Sequence, residues 1–205
     1  GIMDLVSSVP EYGLQYGGAG IVTIAFGSSF GIPELKVIID GASEGSELGD
    51  TDGSIANLGD INGDGTDDLG MYDDDGRFII IWGKQDWGVN YDSDDDGVLD
   101  TYRIDLWDQT FINGIDASGT AGIDLNGDGY SDYIDYFKGV GDVNGDGYDD
   151  FFLTSAGTNW QSNLSVDYSY GIGVLVYGQA SWMGEYTNIN QLETVLVYGD
   201  YLQHI

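Results

Sequence analysis

The chain has 205 residues and a formal charge of −31, because 36 acidic residues face only five basic ones. So few basic residues exclude recognition of nucleic-acid phosphates and disfavour binding to anionic membrane surfaces. An apolar content of 41%, with 15 Tyr, seven Phe and five Trp, predicts a packed core and excludes a disordered acidic tail.

The first residues of the chain match the second half of a pattern that recurs later. Gly1-Ile-Met-Asp4-Leu-Val aligns with 65–70 and with 147–152. The chain therefore starts at the sixth position of a nine-residue pattern, without the first five. This predicts either proteolytic maturation or truncation of a longer repeat array.

Three segments share one plan of a Gly, six residues ending in an aromatic residue, and a second Gly. They are 20–27, 76–83 and 171–178, and 194–199 repeats the latter part. Each is rich in β-branched and aromatic residues, is bounded by turn residues and is too short for a helix. We therefore expect buried β-strands.

The nine-residue pattern itself occurs four times. Three copies read Asp-x-Asn-Gly-Asp-Gly-x-x-Asp, at 60–68, 124–132 and 142–150, and a looser copy occupies 92–100. Positions 1, 3, 5 and 9 carry side-chain oxygens, namely Asp60, Asn62, Asp64 and Asp68; Asp92, Asp94, Asp96 and Asp100; Asp124, Asn126, Asp128 and Asp132; Asp142, Asn144, Asp146 and Asp150.

Such alternation lets side chains converge on a hard cation, while the Gly at position 6 takes the sharp turn. Of the 36 acids, 30 are Asp, and sixteen of these lie in the four copies. An acidic coat for solubility has no reason to prefer Asp so strongly. The sequence therefore predicts three to four bound calcium ions, which would still leave the chain strongly negative.

Position 12, where an EF-hand requires a bidentate acid, excludes EF-hands at three of the four loops and leaves only the loop at 124–132 possible on this criterion. That position holds Met71, Arg103, Asp135 and Leu153. The flanking segments also have the pattern of strands, because the loops run directly into 69–72, 133–136 and 151–154. Closure of each loop by the Asp at position 9 is the better interpretation.

Together these segments predict an all-β repeat architecture of loop, strand, turn and strand. We expect a single repeat-built domain over 1–205, with approximate units 1–57, 58–120 and 121–205. The first residues of successive loops are 32, 32 and 18 residues apart, and the last of these intervals is too short to hold a full repeat unit.

At 60–83, 142–178 and 124–139, and in part at 1–27, the chain resembles the FG-GAP (VCBS-type) repeat of integrin-alpha-like β-propellers. The loop at 92–100 is also similar to the calcium loops of dockerins and thrombospondin type 3 repeats. The resemblance implies four-stranded blades with calcium in a hairpin, and it adds four backbone carbonyls to the ligands: Thr66, Val98, Tyr130 and Tyr148. With three to four repeats, we expect an incomplete or open ring.

We therefore expect an extracellular calcium-binding structural or adhesive module, without enzymatic activity. Millimolar calcium is found outside the cell, and partners would be a cell-surface protein, a polysaccharide, or copies of the chain in a fibre or surface layer. We expect no nucleic-acid partner and no insertion into a membrane. The longest apolar run, 78–82, is far too short to span a bilayer.

Two alternatives stay open. A carbohydrate-recognition domain would use exposed aromatic residues, with Trp82 expected in the core and Trp87, Trp107, Trp160 and Trp182 in connecting segments. A calcium-dependent polysaccharide-degrading enzyme would use the Asp cluster, but those acids are accounted for as ligands. The only imidazole, His204, is next to the C-terminus, and the chain has no Cys.

Overall fold

The computed structural model describes residues 4–12, 17–29, 36–50, 53–74, 78–106, 114–116, 136–155, 172–182 and 194–198. The all-β prediction is confirmed, because the described residues form strands, turns and no helix. In this part of the chain, accordingly, there is no helix with the length and apolar character needed to cross a membrane.

The described strands, in chain order, are short and of similar length. They are β1 (Leu5–Val9), β2 (Ile21–Ala25), β3 (Lys36–Asp40), β4 (Ile55–Gly59), β5 (Asp68–Tyr72), β6 (Phe78–Ile81), β7 (Tyr102–Asp105), β8 (Gly114–Asp116), β9 (Tyr136–Gly141), β10 (Asp150–Ser155), β11 (Ile172–Val176) and β12 (Thr194–Tyr198).

All three strands predicted from the Gly-bounded plan are present, as β2, β6 and β11. The segments predicted to follow the loops at 69–72 and 151–154 are β5 and β10. The segment 133–136 lies outside the described residues except for Tyr136, which begins β9.

The chain divides into two compact units, each built from two separate stretches. The first unit comprises 1–52 and 84–112, and the second comprises 53–83 and 113–205.

The first unit contains one sheet, in the order β1-β2-β3-β7. β1, β2 and β3 are antiparallel neighbours, whereas β7 pairs with β3 in parallel, with Val37 opposite Tyr102. Val22, Ile39 and Ile104 are fully buried on this sheet. Burial of each such side chain contributes about 1.5–3 kcal/mol to the stability of the unit.

The second unit contains two antiparallel meanders, β4-β5-β6-β8 and β9-β10-β11-β12. Their facing side chains form one core, and the ring of Phe78 lies at its centre, 4.9 Å from Phe137 and 6.2 Å from Phe151. The other fully or almost fully buried members are Leu58, Ile61, Ile80, Leu153, Val174 and Val176. Trp82 and Trp182 pack against this core.

One hairpin register recurs in all three sheets. Leu5 pairs with Ala25, Leu69 with Ile81, and Phe151 with Val176. In each pair the earlier residue directly follows an Asp. The later residue is followed by an aromatic residue and then by a Gly, which together form the aromatic-Gly pair of the sequence pattern. The predicted repeat is therefore a structural one. Assembly of such units into a propeller stays a prediction.

Candidate metal-binding loops

Two of the four Asp-rich loops connect neighbouring antiparallel strands. The loop at 60–68 joins β4 to β5, and the loop at 142–150 joins β9 to β10. The loop at 92–100 is closed by a bridge between Tyr91 and Thr101 and leads into β7. The loop at 124–132, with the predicted ligands Asp124, Asn126, Asp128, Tyr130 and Asp132, lies outside the described residues.

The carboxylate at position 1 accepts the same two backbone N–H groups in all three described loops. Those of residues 64 and 65 donate to Asp60, both at 2.9 Å. Those of residues 146 and 147 donate to Asp142 at 3.1 and 2.9 Å. The looser loop repeats the pattern at Asp92, with 3.3 and 2.7 Å.

Positions 3 and 5 continue this wrapping. The oxygens of Asn62, Asn144 and Asp94 each accept the N–H of position 5, at 2.8, 2.9 and 3.3 Å. The position-5 carboxylates then accept the N–H of position 7, which belongs to Thr66, Tyr148 and Val98. The backbone of the described loops therefore wraps around the side chains of positions 1, 3 and 5.

The curl requires left-handed backbone at positions 4 and 6. Gly63 and Gly65 have φ values of 75° and 91°, and Gly145 and Gly147 have 79° and 96°. The looser loop keeps Gly at position 6 but places Asp95 at position 4, with a φ of 59°. Aspartate tolerates this region better than most residues.

Position 9 ties the loop to the strands. One oxygen of buried Asp68 accepts the N–H of Ile61 at 3.1 Å, and the other accepts that of Gly83 at 2.9 Å. Buried Asp150 repeats both contacts, with Val143 at 2.8 Å and Gly178 at 2.9 Å.

The looser loop differs at this position. Asp100 is exposed, and its two oxygens accept the N–H and the hydroxyl of Ser93, at 3.0 and 2.7 Å. Its contact with the N–H of position 2 is the one that the other two loops also make.

The second Gly of the aromatic-Gly pairs has a role that the sequence did not reveal. A Cβ at Gly83 would lie 2.2 Å from the carbonyl oxygen of Asp67, and one at Gly178 would lie 2.2 Å from that of Asp149. Only glycine lets the end of the strand approach the loop this closely. The recurrence of the Gly after the aromatic residue was the available signal.

The half-copy at the start of the chain follows the same geometry. Asp4 accepts the N–H of Gly27 at 2.8 Å, as Asp68 does from Gly83 and Asp150 from Gly178. Asp4 is therefore structurally equivalent to position 9 of the complete loops. Residues 1–3 lie outside the described part of the chain.

In the loops at 60–68 and 92–100 the carboxylates lie close to one another. Oxygens of Asp92, Asp94 and Asp96 all lie within 4.8 Å of one another and could hold a metal ion. Burial raises the pKa of Asp68 to about 7, and the nearby charges of Asp64 and Asp60 act in the same direction. The hydrogen bonds from Gly83 and Ile61 oppose this shift. A cation among these carboxylates would favour their charged forms.

The two hairpin loops of the second unit also contact each other. Asp149 accepts the N–H of Asp60 at 2.9 Å and donates its own N–H to the carbonyl of Asp60 at 3.0 Å. The carbonyl of Ile61 accepts the N–H of Gln179 at 2.9 Å and the indole N–H of Trp182 at 3.1 Å. Sequence reasoning missed this contact, because Asp149 resembles any other acid of the motif.

Two tryptophans that could have formed an exposed sugar-binding surface have structural roles. Trp87 is 7% exposed, and Trp182 is half-buried against the core of the second unit. Trp82 packs against that core as predicted. Trp107, Trp160 and His204 lie outside the described residues.

No protein-family model matches the chain, and no curated protein is significantly similar to it.

Proposed function

We propose that the protein is an extracellular calcium-binding module with a structural or adhesive role, built from FG-GAP-type repeats. Each of the loops at 60–68, 92–100, 124–132 and 142–150 binds one calcium ion. The observation that carries the proposal is the identical wrapping of the three described loops. In each, the oxygens of positions 1, 3 and 5 are gathered by N–H groups of the same curl.

The chemistry of the donors suits calcium. Calcium prefers six to eight oxygen ligands in flexible geometry, and these loops offer carboxylate, amide and backbone carbonyl oxygens. The amide nitrogen of Asn62 donates to Asp64 at 3.2 Å and to Asp68 at 3.5 Å, which draws three of the proposed ligands together. The carbonyls of Thr66, Val98, Tyr130 and Tyr148 complete the proposed sets.

Binding of this kind stabilises the fold, because the unfolded chain does not gather these oxygens. A calcium concentration of about one to ten times the dissociation constant stabilises the folded state by about 0.4–1.4 kcal/mol per site. Extracellular calcium modules bind with dissociation constants of about 0.1–1 mM, which suits occupancy outside the cell.

An adhesive or assembling role is supported by sheet edges that no described strand covers, such as the outer edge of β1. The charge of −31 disfavours nucleic acids as partners, and we propose cell-surface proteins, polysaccharides or other copies of the chain. An unpaired strand edge is a template for pairing with another chain. Calcium-loaded protein that stays monomeric in light scattering at all concentrations would contradict self-assembly.

The calcium proposal is tested by titration calorimetry and thermal melts of the whole chain. We expect chelator to lower the melting temperature strongly. Asp64→Ala and Asp146→Ala should each remove one binding event, whereas the control Glu44→Ala, at an exposed acid outside the loops, should remove none. An unchanged melt in excess chelator would overturn the structural role of calcium.

A further inference from the structure

The two hairpin loops of the second unit are joined through residues that stand among their proposed calcium ligands. Asp60 is position 1 of its loop, and both its N–H and its carbonyl bond to Asp149, at 2.9 and 3.0 Å. Asp149 is position 8 of the other loop, directly between the proposed ligands Tyr148 and Asp150. The first ligand of one loop is therefore held by the segment that carries the last two ligands of the other.

Steric fit strengthens this junction. A Cβ at Gly59 would lie 2.2 Å from a carboxylate oxygen of Asp149, and one at Gly63 would lie 2.4 Å from the ring of Tyr148. Tyr148 and Asp149 are half-buried, whereas residues 141–147 of the same loop are exposed. The backbone of the first loop therefore lies directly against these two side chains, with no space left between them.

The equivalent residue of the first loop has a different role. Asp67, at position 8 of that loop, is exposed, and its carboxylate accepts the side-chain N–H of Asn57 at 2.8 Å. This contact stays within its own hairpin, because Asn57 belongs to β4. The same residue type at the same position thus joins two loops at Asp149 and none at Asp67, which provides a matched control.

We propose that the loops at 60–68 and 142–150 bind calcium cooperatively, so that an ion in either loop raises the affinity of the other. The inference rests on the proposed function, because it requires that both loops bind the ion. An ion fixes the ligands on either side of Asp149, and Asp149 then holds Asp60 where its own ion needs it. The entropy of ordering this junction is lost once, at the first ion, and the second ion binds to an ordered loop.

Electrostatics acts in the opposite direction. The first ion neutralises carboxylates that would otherwise attract the second, and the two ions repel each other. Salt screens this term, since the Debye length falls from about 30 Å at 0.01 M to about 8 Å at 0.15 M. The hydrogen bonds of the junction are short-range contacts and are screened far less. Cooperativity should therefore increase with NaCl, whereas loops coupled by charge alone would show negative cooperativity that salt removes.

The unmodified chain provides the first test, by amide NMR during calcium titration in about 0.15 M NaCl. Gly65 and Gly147 each donate to the position-1 carboxylate of their own loop, so each amide reports the occupancy of one loop. We expect the two signals to change together. A coupling factor of about five to ten would give a Hill coefficient of about 1.4–1.5 for two equal sites.

Variants that empty one loop provide the second test, with calorimetry as the measurement. Asp64→Ala removes the ion from the loop at 60–68 and should lower the affinity of the loop at 142–150 by about five- to tenfold. Asp146→Ala should lower the affinity of the loop at 60–68 by the same factor, because coupling between two binding sites is reciprocal.

A variant of the junction separates coupling from binding. In an Asp149→Ala background, emptying either loop should no longer change the affinity of the other. In an Asp67→Ala background, the five- to tenfold effect should persist, because the substitution is the same and stands at the same loop position. If Asp149→Ala does not fold, the titration of the unmodified chain and the two variants that empty one loop still decide whether the loops are coupled.

The possible results distinguish this inference from the proposed function. Independent binding curves at Gly65 and Gly147, with unchanged affinity in the variants that empty one loop, would overturn cooperativity and leave calcium binding intact. Cooperativity that persists in Asp149→Ala would overturn its assignment to the junction with Asp60. Absence of calcium from both loops would overturn the proposed function and this inference together.

Discussion

Asp68 and Asp150 connect parts of the chain that are far apart in sequence. Each carboxylate holds the second residue of its own loop and a Gly that lies 15 or 28 residues further along. Closing the loop and closing the hairpin are therefore one event. This explains why the Asp at position 9 and the Gly after the aromatic residue occur together in the sequence.

The raised pKa of Asp68 gives metal-free protein a specific pH dependence. The pKa rises from 3.8 to about 7, so the folded state keeps a proton that the unfolded chain releases in this range. Stability from this group therefore falls as pH increases from about 4 to about 7, by a few kcal/mol at most, and changes little above. Denaturant unfolding of metal-free protein across this range should show a smaller fall for Asp68→Asn. Equal falls in the two proteins would contradict the assignment.

A methyl group at Gly83 or Gly178 should disrupt the contact between strand and loop. Both sites place the new Cβ 2.2 Å from a backbone carbonyl oxygen, so backbone must move. We expect Gly83→Ala and Gly178→Ala each to lower the free energy of unfolding by about 1–3 kcal/mol. Gly17→Ala, whose Cβ would meet no atom within 4 Å, is the control and should stay near wild type. If denaturant melts showed that Gly17→Ala loses as much free energy of unfolding as the other two variants, the steric explanation would be wrong.

Arg103 stabilises the parallel pairing of β7 with β3. Its Nε lies 2.6 Å from the buried carboxylate of Asp40, and its guanidinium also stacks on Tyr91. Arg103→Gln removes the cation from beside a buried charge, which should lower the free energy of unfolding by about 3 kcal/mol. Lys138→Gln, at an exposed lysine in β9, should change it little in the same unfolding measurement. A loss of equal size in both variants would argue against a special role for the buried pair.

At the scale of elements, the sequence predicted the loops and the central strands but missed their neighbours. β2, β6 and β11 are continuous β-branched and aromatic runs, so local pattern identifies them. β7 carries no such signal, because its place depends on pairing with a strand more than sixty residues earlier.

The strands before the loops were missed for a related reason. β4 and β9 each end in a bulge, at Leu58 and Val140, followed by a left-handed Gly59 or Gly141. The bulge breaks the alternation of side chains that identifies a strand. The sequence signal for these two strands was the Gly directly before position 1 of the loop. Of the four loops, only those at 60–68 and 142–150 have it.

The contact between the two hairpin loops should link their stability. Asp149 accepts the N–H of Asp60, so Asp149→Ala leaves this half-buried donor without its acceptor. We expect a loss of about 1–3 kcal/mol in the free energy of unfolding. Calcium affinity of the 60–68 loop should fall as well, because Asp60 begins that loop. Calorimetry that shows both sites unchanged, as expected for the control Glu44→Ala, would contradict the coupling.

For the whole molecule, the large negative charge should make stability depend on salt. Repulsion among carboxylates destabilises the compact state, and salt screens it. Without metal, the melting temperature should rise between about 10 mM and about 1 M NaCl, as the Debye length falls from about 30 Å to about 3 Å. The rise should be smaller with calcium bound. A metal-free melting temperature that does not respond to NaCl would contradict this.

The parallel pairing of β3 with β7 also sets the order in which the chain can fold. Synthesis delivers β1, β2 and β3 first, then β4, β5 and β6 of the other unit, and only afterwards the β7 that completes the first sheet. The other unit must in turn wait for β8 to β12. Pairings between distant segments slow folding, because loop-closure entropy is lost before contacts form. Neither unit can therefore complete its fold while the ribosome is still synthesising the first half of the chain. Because each unit consists of two separate stretches, neither can be expressed alone as one continuous segment.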